Sequence, residues 1–195
     1  MSDIQLLFKE IKKNNVKNVE NVNAQDNYGR TLLMYACDNG SIKVVQLLFG
    51  IPCINVNIQD TFGNTALLYA SERGHSEIVE LLLRVPDVNL SLTDICGDSP
   101  LSRACYYGQY KIVKLLLETH KVDVNVTNEN GATPLLNACI GGHTEIVKLL
   151  VKEPKINTAV AKNKYITIRR VYNKDNTLSQ IDKLLGVERS DIFFD

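Results

Sequence analysis

Basic stretches are missing from this sequence of 195 residues: no segment is dominated by lysine and arginine, and 22 basic side chains balance 22 acidic ones. A neutral chain without a cationic patch gives no electrostatic reason to expect nucleic acid or an anionic membrane as its partner. Long apolar runs are missing too. None approaches the ~20 residues that span a bilayer. The opening MSDIQLLFKEIKK is amphipathic and lacks the unbroken apolar core of a secretion signal. The expectation is a soluble intracellular, cytoplasmic protein. The five cysteines are an odd number and form no CxxC pair. A zinc knuckle therefore has no support in the spacing, and thiols outside disulfides suit a reducing compartment. Only five prolines and 11 glycines stand against 45% hydrophobic residues, so the chain should fold, as one domain or two small ones.

What is present is one pattern written four times. Gly29, Gly63, Gly97 and Gly131 lie 34 residues apart, and so do Thr31, Thr65, Ser99 and Thr133. Ala36, Ala70, Ala104 and Ala138 keep the same step, as do Gly40, Gly74, Gly108 and Gly142. The pairs Val44-Val45, Ile78-Val79, Ile112-Val113 and Ile146-Val147 follow it, each trailed by two leucines. Such a period is the mark of a repeat architecture.

Each repeated position has a physical reason. Asp26, Asp60, Asp94 and Asn128 precede the first glycine by three residues, the arrangement that a type I turn favours. The hydroxyl two residues later caps a helix. Pro100 and Pro134 then stand at the first helical position, where the missing N–H costs nothing. A two-turn helix ends at the second glycine, which suits a left-handed cap. A second helix follows, and Pro52, Pro86 and Pro154 stop it. The tetratricopeptide repeat shares a period of 34, but it fills nearly the whole unit with helix and uses large aromatic anchors that are missing here.

The stretches VNAQDNYGRTLLMYACDNGSIKVVQLL, VNIQDTFGNTALLYASERGHSEIVELLL, GDSPLSRACYYGQYKIVKLLL and VNVTNENGATPLLNACIGGHTEIVKLLV resemble the ankyrin repeat family over about residues 22–155. The resemblance implies an all-α repeat solenoid of paired helices with hairpin loops. It has about four full repeats (22–155), an N-terminal capping helix (1–21), and a degenerate C-terminal capping repeat and tail (156–195). Two departures stand out. The family's T-P-L-H histidine is replaced by Met34, Leu68, Ser102 and Leu136, which removes its helix-to-hairpin hydrogen bond from that position. Each linker also carries one extra residue.

Solenoid ends need caps. Residues 3–13 place Ile4, Leu7, Phe8 and Ile11 on one helical face, as a capping helix would. Ile181 and Leu184 keep the register of the second helix, whereas KYITIRRVY at 164–172 reads equally as a distorted helix or a strand. The tail SDIFFD is expected to fold its two aromatics onto the last repeat; a short linear binding motif is the alternative.

Catalysis finds little support. The stretch DTFGNTALLYASERGH at 60–75 holds acids, hydroxyls and a histidine, but most of these letters recur in every unit with a scaffold role. His75 recurs as His143 and is Ser41 and Gln109 elsewhere. No Gly-Lys-Ser/Thr follows the glycines, so no phosphate cradle is expected. Cys37, Cys105 and Cys139 share one repeat position and are expected as buried space-fillers, while Cys96 at a hairpin tip is the exposed thiol. Lys43, Glu77, Lys111 and Glu145 alternate in sign on the second helix, as a solvated surface.

Function should lie where the repeats differ. On the hairpin tips these positions are Tyr28, Arg30, Phe62, Asn64 and Asp98. On the inner helix they are Tyr35, Asp38, Tyr69, Glu72, Arg103 and Tyr106. Aromatic and arginine side chains dominate interface hot spots, and here they concentrate in repeats one to three, with large exposed rings expected on successive units. The fourth repeat offers small or polar residues. The expectation is a non-enzymatic, monomeric protein–protein interaction module without cofactor or metal. Its concave groove, centred on repeats one to three, would bind a partner protein of undetermined identity. Asn89 and Asn125 also resemble the sites that an asparagine hydroxylase modifies on ankyrin repeats, which makes a regulatory substrate the alternative. The richness in Asn, Lys and Ile points to an AT-rich genome. A protist, an intracellular bacterium or a large virus would fit, and in the last two the same groove would engage a host protein.

Overall fold

The computed structural model describes residues 21–172 and 179–192. The expected N-terminal helix at 3–13 and the aromatics Phe193 and Phe194 lie outside them. The described residues are helical, and their hairpin loops include one isolated antiparallel bridge, Gln25 to Thr31. The chain divides into two compact units, residues 1–95 and 96–195. Unit one holds α1 (Leu32–Asp38), α2 (Ile42–Phe49), α3 (Ala66–Arg73) and α4 (Ser76–Leu83). Unit two holds α5 (Pro100–Tyr106), α6 (Tyr110–Glu118), α7 (Pro134–Ile140) and α8 (Thr144–Leu150), then α9 (Thr158–Tyr172), α10 (Gln180–Leu184) and α11 (Arg189–Ile192).

The expected punctuation is in place. Thr31, Thr65, Ser99 and Thr133 have extended backbone, and each hydroxyl accepts the N–H three residues on. Pro100 and Pro134 open their helices. Helices of seven or eight residues such as α1 and α3 do not hold alone. They persist because each packs on its neighbours: α1 on α2 and α3, α3 on α4, α2 on α4. Unit two repeats the scheme with α5 on α6 and α7, α7 on α8, and α6 on α8. The repeated Val and Leu of the second helices fill these contacts; Val45, Leu48, Val79 and Leu82 are fully buried, as are Val113, Leu116, Val147 and Leu150.

Hydrogen bonds join each repeat to the next. In unit one the Thr61 N–H donates to Tyr28 O and the Ile95 N–H to Phe62 O, both at 2.9 Å. In unit two the Glu129 N–H donates to Cys96 O at 2.9 Å. Gly63 must be glycine: its φ is +75°, and a Cβ there would sit 2.9 Å from Asp94 Cα. Asparagine side chains bridge the other edge. Asn57 Nδ2 donates to Asp87 O (2.7 Å) and its Oδ1 accepts the Asn89 N–H (2.8 Å). Asn125 does the same with Lys155 and Asn157.

The C-terminal end settles the ambiguity at KYITIRRVY: it is helix. α9 begins ten residues before 168, the position that one more 34-residue step from Pro134 would give. The cause is legible afterwards. Tyr165 and Lys162 stand where the hairpin needs its glycine and its Asp or Asn. A tyrosine does not adopt the left-handed turn cheaply, and no Gly or Pro interrupts 158–172. With no fifth hairpin, the carbonyl of Asn130 takes the Lys164 ammonium instead, at 2.6 Å. α9 packs on α7 and α11, and α10 packs on α8. Ile181 is buried there as expected and Leu184 is half-buried. Between them Asp182, fully buried, pairs with Arg169 of α9 at 2.6 Å and accepts the Ser179 N–H that starts α10.

Candidate functional site

The hairpin and inner helix of unit one are tied together by two carboxylates. Asp60 Oδ1 accepts the backbone N–H groups of Phe62 (2.9 Å) and Asn64 (2.8 Å), which fixes the turn. Its Oδ2 accepts the Tyr69 hydroxyl at 2.6 Å. Asp26 repeats the arrangement with Tyr28, Arg30 and the Tyr35 hydroxyl, the last at 2.7 Å. Desolvation pushes the Asp26 carboxyl up. The hydrogen bonds from Tyr35, Arg30 and Tyr28, together with the Arg30 charge, outweigh it and hold the group below the ordinary aspartate value. The helix-to-hairpin bond that the missing histidines would have made is thus supplied one residue later, by Tyr35 and Tyr69.

This corrects one sequence expectation. Tyr69 is not an exposed ring; it is 8% exposed. The Arg30 guanidinium lies 4.7 Å from the Tyr69 ring centroid and 5.5 Å from that of Tyr35, a cation–π stack. The same guanidinium approaches Asp60 at 3.8 Å and Asp38 at 3.9 Å. Asp38 also pairs with Arg73 at 2.8 Å. Burial and the Asp60 hydrogen bond push the Tyr69 hydroxyl well above the ordinary range. Arg30, Tyr35, Tyr69 and Asp38 therefore form a framework. Asn64 belongs to it through Asp60, and Glu72 is half-buried on α3.

Outside this framework three apolar side chains project from the hairpin tips of unit one: Tyr28 (63% exposed), Phe62 (50%) and Ile95 (60%). In unit two, Asp98 is held at the tip by Asn128 (3.0 Å), and Arg103 is half-buried on α5. Tyr106 and Tyr107 pack edge-to-face with centroids 5.2 Å apart, and both are more than two-fifths exposed. Ile140, one repeat step beyond Tyr106, is 45% exposed. The fourth repeat is accordingly not confined to small or polar residues. Ile95 and Ile140 stand at positions that vary between repeats but were not chosen as contact residues, and Tyr107 was not singled out. The signal for Ile140 was its 34-residue step from Tyr106.

The remaining candidates have structural roles. His75 Nε2–H donates to Asp38 O at 3.2 Å, and His143 Nε2–H to Tyr106 O at 3.0 Å. Each thus ties the start of a second helix to the end of the preceding inner helix. Gly108 leaves room for His143, since a Cβ would lie 2.5 Å from that ring. Cys37, Cys105 and Cys139 are buried, and burial pushes their thiols up, that of Cys139 to about 12. Cys96 is exposed, and so is Cys53, which sequence reasoning did not single out. Asn89 and Asn125 prove unlike: Asn125 uses both ends of its side chain as a bridge, and its equivalent in the third repeat is Ser91. Asn89 is exposed and accepts only the Ser91 N–H through its side chain. Glu145 pairs with Lys148 on its own helix at 2.7 Å.

Among the described residues no group of three His, Cys, Asp or Glu is placed to hold a metal ion, and no helix is long and apolar enough to cross a membrane. The hydrogen-bonded groups hold the backbone, and large apolar side chains stand exposed beside them, an arrangement suited to contact. Comparison with known proteins agrees with the geometry. A family model for ankyrin repeats in three copies matches residues 49–128 and 120–168, and a single-repeat model matches residues 28–58. No curated protein matches. Ankyrin repeats are generally protein–protein interaction modules. On the repeated turn, cap and helix, and on family matches over most of its length, the chain belongs to the ankyrin repeat family.

Proposed function

We propose that the protein binds a partner protein through its hairpin tips and the solvent side of its inner helices. The observation that carries this is the exposure of Tyr28, Phe62 and Ile95 in unit one and of Tyr106, Tyr107 and Ile140 in unit two. Each of these side chains is more than two-fifths exposed. Exposed aromatics clustered on a rigid frame mark contact surfaces. Arg30, Tyr35, Asp38, Asn64, Tyr69 and Glu72 support the surface from beneath or beside it, with Asp98 and Arg103 doing so in unit two.

The test is a pull-down from the source cell with the intact chain, with Tyr28→Ala/Phe62→Ala, and with Tyr106→Ala/Ile140→Ala. Tyr69 stays in place because its removal would disturb the fold. Loss of the same partner from either variant, with unchanged melting, supports the proposal. Equal recovery by all three proteins rejects it.

A further inference from the structure

We propose that the Asn130-Gly131 pair is a modification site, where Lys164 assists a spontaneous deamidation that turns the tip of the fourth hairpin into aspartate or isoaspartate. Asn-Gly pairs occur twice in the chain, at 39–40 and at 130–131. In such a pair the glycine nitrogen can attack the asparagine carboxamide, and the missing Cβ leaves the approach open. The first pair is held back. Asn39 Nδ2 donates to Tyr35 O at 2.8 Å, which ties its carboxamide to the end of α1. Asn130 is exposed at its hairpin tip, and among the described residues its carboxamide makes no hydrogen bond.

The second observation is a cation on the reacting amide. In the earlier hairpins the carbonyls of Tyr28, Phe62 and Cys96 each accept a neutral backbone N–H. Asn130 stands at the same repeat position, and its carbonyl accepts the Lys164 ammonium at 2.6 Å. That oxygen and the Gly131 nitrogen belong to one peptide group. When the nitrogen loses its proton, the negative charge spreads onto the oxygen, and a cation bonded there stabilises the charged form. Gly131 also makes room for the lysine, because a Cβ would collide with the ammonium. The Gly131 N–H donates to Asn128 O at 2.7 Å, so the turn must open before attack, which keeps the reaction slow. The flexible lysine stem lets the ammonium follow the oxygen as it does so. Hydroxide from solvent then takes the Gly131 proton, and the nitrogen bonds to Asn130 Cγ. The Cγ–Nδ2 bond breaks, and the nitrogen leaves as ammonia after taking a proton from water. Water opens the resulting succinimide at either carbonyl. In sum one water enters and one ammonia leaves, with no change of oxidation state. Either product adds a negative charge. Isoaspartate also adds a methylene to the backbone of the turn that Asn128 holds through Gly131 and Ala132.

The experiment incubates the full chain, Lys164→Met and Lys164→Arg in mildly alkaline buffer below their melting temperatures. Peptide mapping by mass spectrometry follows both Asn-Gly pairs over time, and an isoaspartyl methyltransferase labels the isoaspartate formed. The expected result is faster conversion at Asn130 than at Asn39 in the parent chain. Lys164→Met should slow Asn130 about fivefold and leave Asn39 unchanged, while Lys164→Arg, which keeps a cation, restores most of the rate. The direction separates chemistry from structure: a lysine that merely held the hairpin would, once removed, let the turn open and speed the reaction. No conversion at Asn130, or conversion no faster than at Asn39, overturns the site. An unchanged or faster rate at Asn130 in Lys164→Met overturns the assistance by Lys164.

Discussion

Asp60 shows how much one side chain carries in a short repeat. One oxygen holds two backbone N–H groups and the other a buried tyrosine hydroxyl, so Asp60→Ala strands three donors at once. Each stranded group costs about 1–3 kcal/mol, with partial relief from water at the turn. The expected loss is about 3 kcal/mol in urea denaturation. Asp60→Asn should cost roughly 1 kcal/mol, because the natural Asn128 serves the same turn through its Oδ1. Asp26 adds a pH dependence. Its folded pKa lies below the ordinary 3.8, so its contribution is present above that pH and is lost as pH falls through the folded value. Acid titration of stability should therefore be flatter in Asp26→Asn over that range. The turn role of these aspartates was legible from Asp and Gly spacing alone. Their second role, receiving Tyr35 and Tyr69, was not, because it joins residues nine apart whose approach depends on how the hairpin folds over the helix.

At the scale of elements, the C-terminal cap is the feature on which the repeat pattern ran out. α9 replaces both a hairpin and an inner helix, and a single buried ion pair, Arg169 with Asp182, fastens it to α10. Arg169→Met leaves a fully buried carboxylate without its cation, a change that costs about 3–5 kcal/mol. Hydrogen exchange should accelerate across 179–187 while α5 and α6 stay protected. Lys164→Met removes the ammonium from Asn130 O and should cost about 1 kcal/mol, since water reaches that exposed site. The sequence showed that the repeat degenerates here, with Arg169 in the place of Leu135 and Tyr172 in the place of Ala138. Helix and strand remained equal choices because periodicity over nine residues does not separate them; packing of α9 on α7 and α11 does.

Across the whole molecule, the residues that stabilise and the residues proposed to bind are largely separate sets. Tyr28→Ala/Phe62→Ala should stay within about 0.5 kcal/mol of the parent in stability and yet lose partner binding, as thermal melts and pull-down together would show. Tyr69→Ala should do the reverse, lowering the melting temperature first, because its ring and hydroxyl are both engaged. By itself the sequence determined the repeat, its 34-residue period, the turn, the caps and the buried Val and Leu faces, since each depends on local geometry that recurs. Only the tertiary structure decided which aromatics face solvent. Tyr28 and Tyr69 are equally aromatic in the sequence. One projects from a turn with nothing above it, and the other lies beneath Arg30 and against Asp60. Exposure depends on what the neighbouring repeat and hairpin place over a side chain, and no position in the pattern encodes that alone.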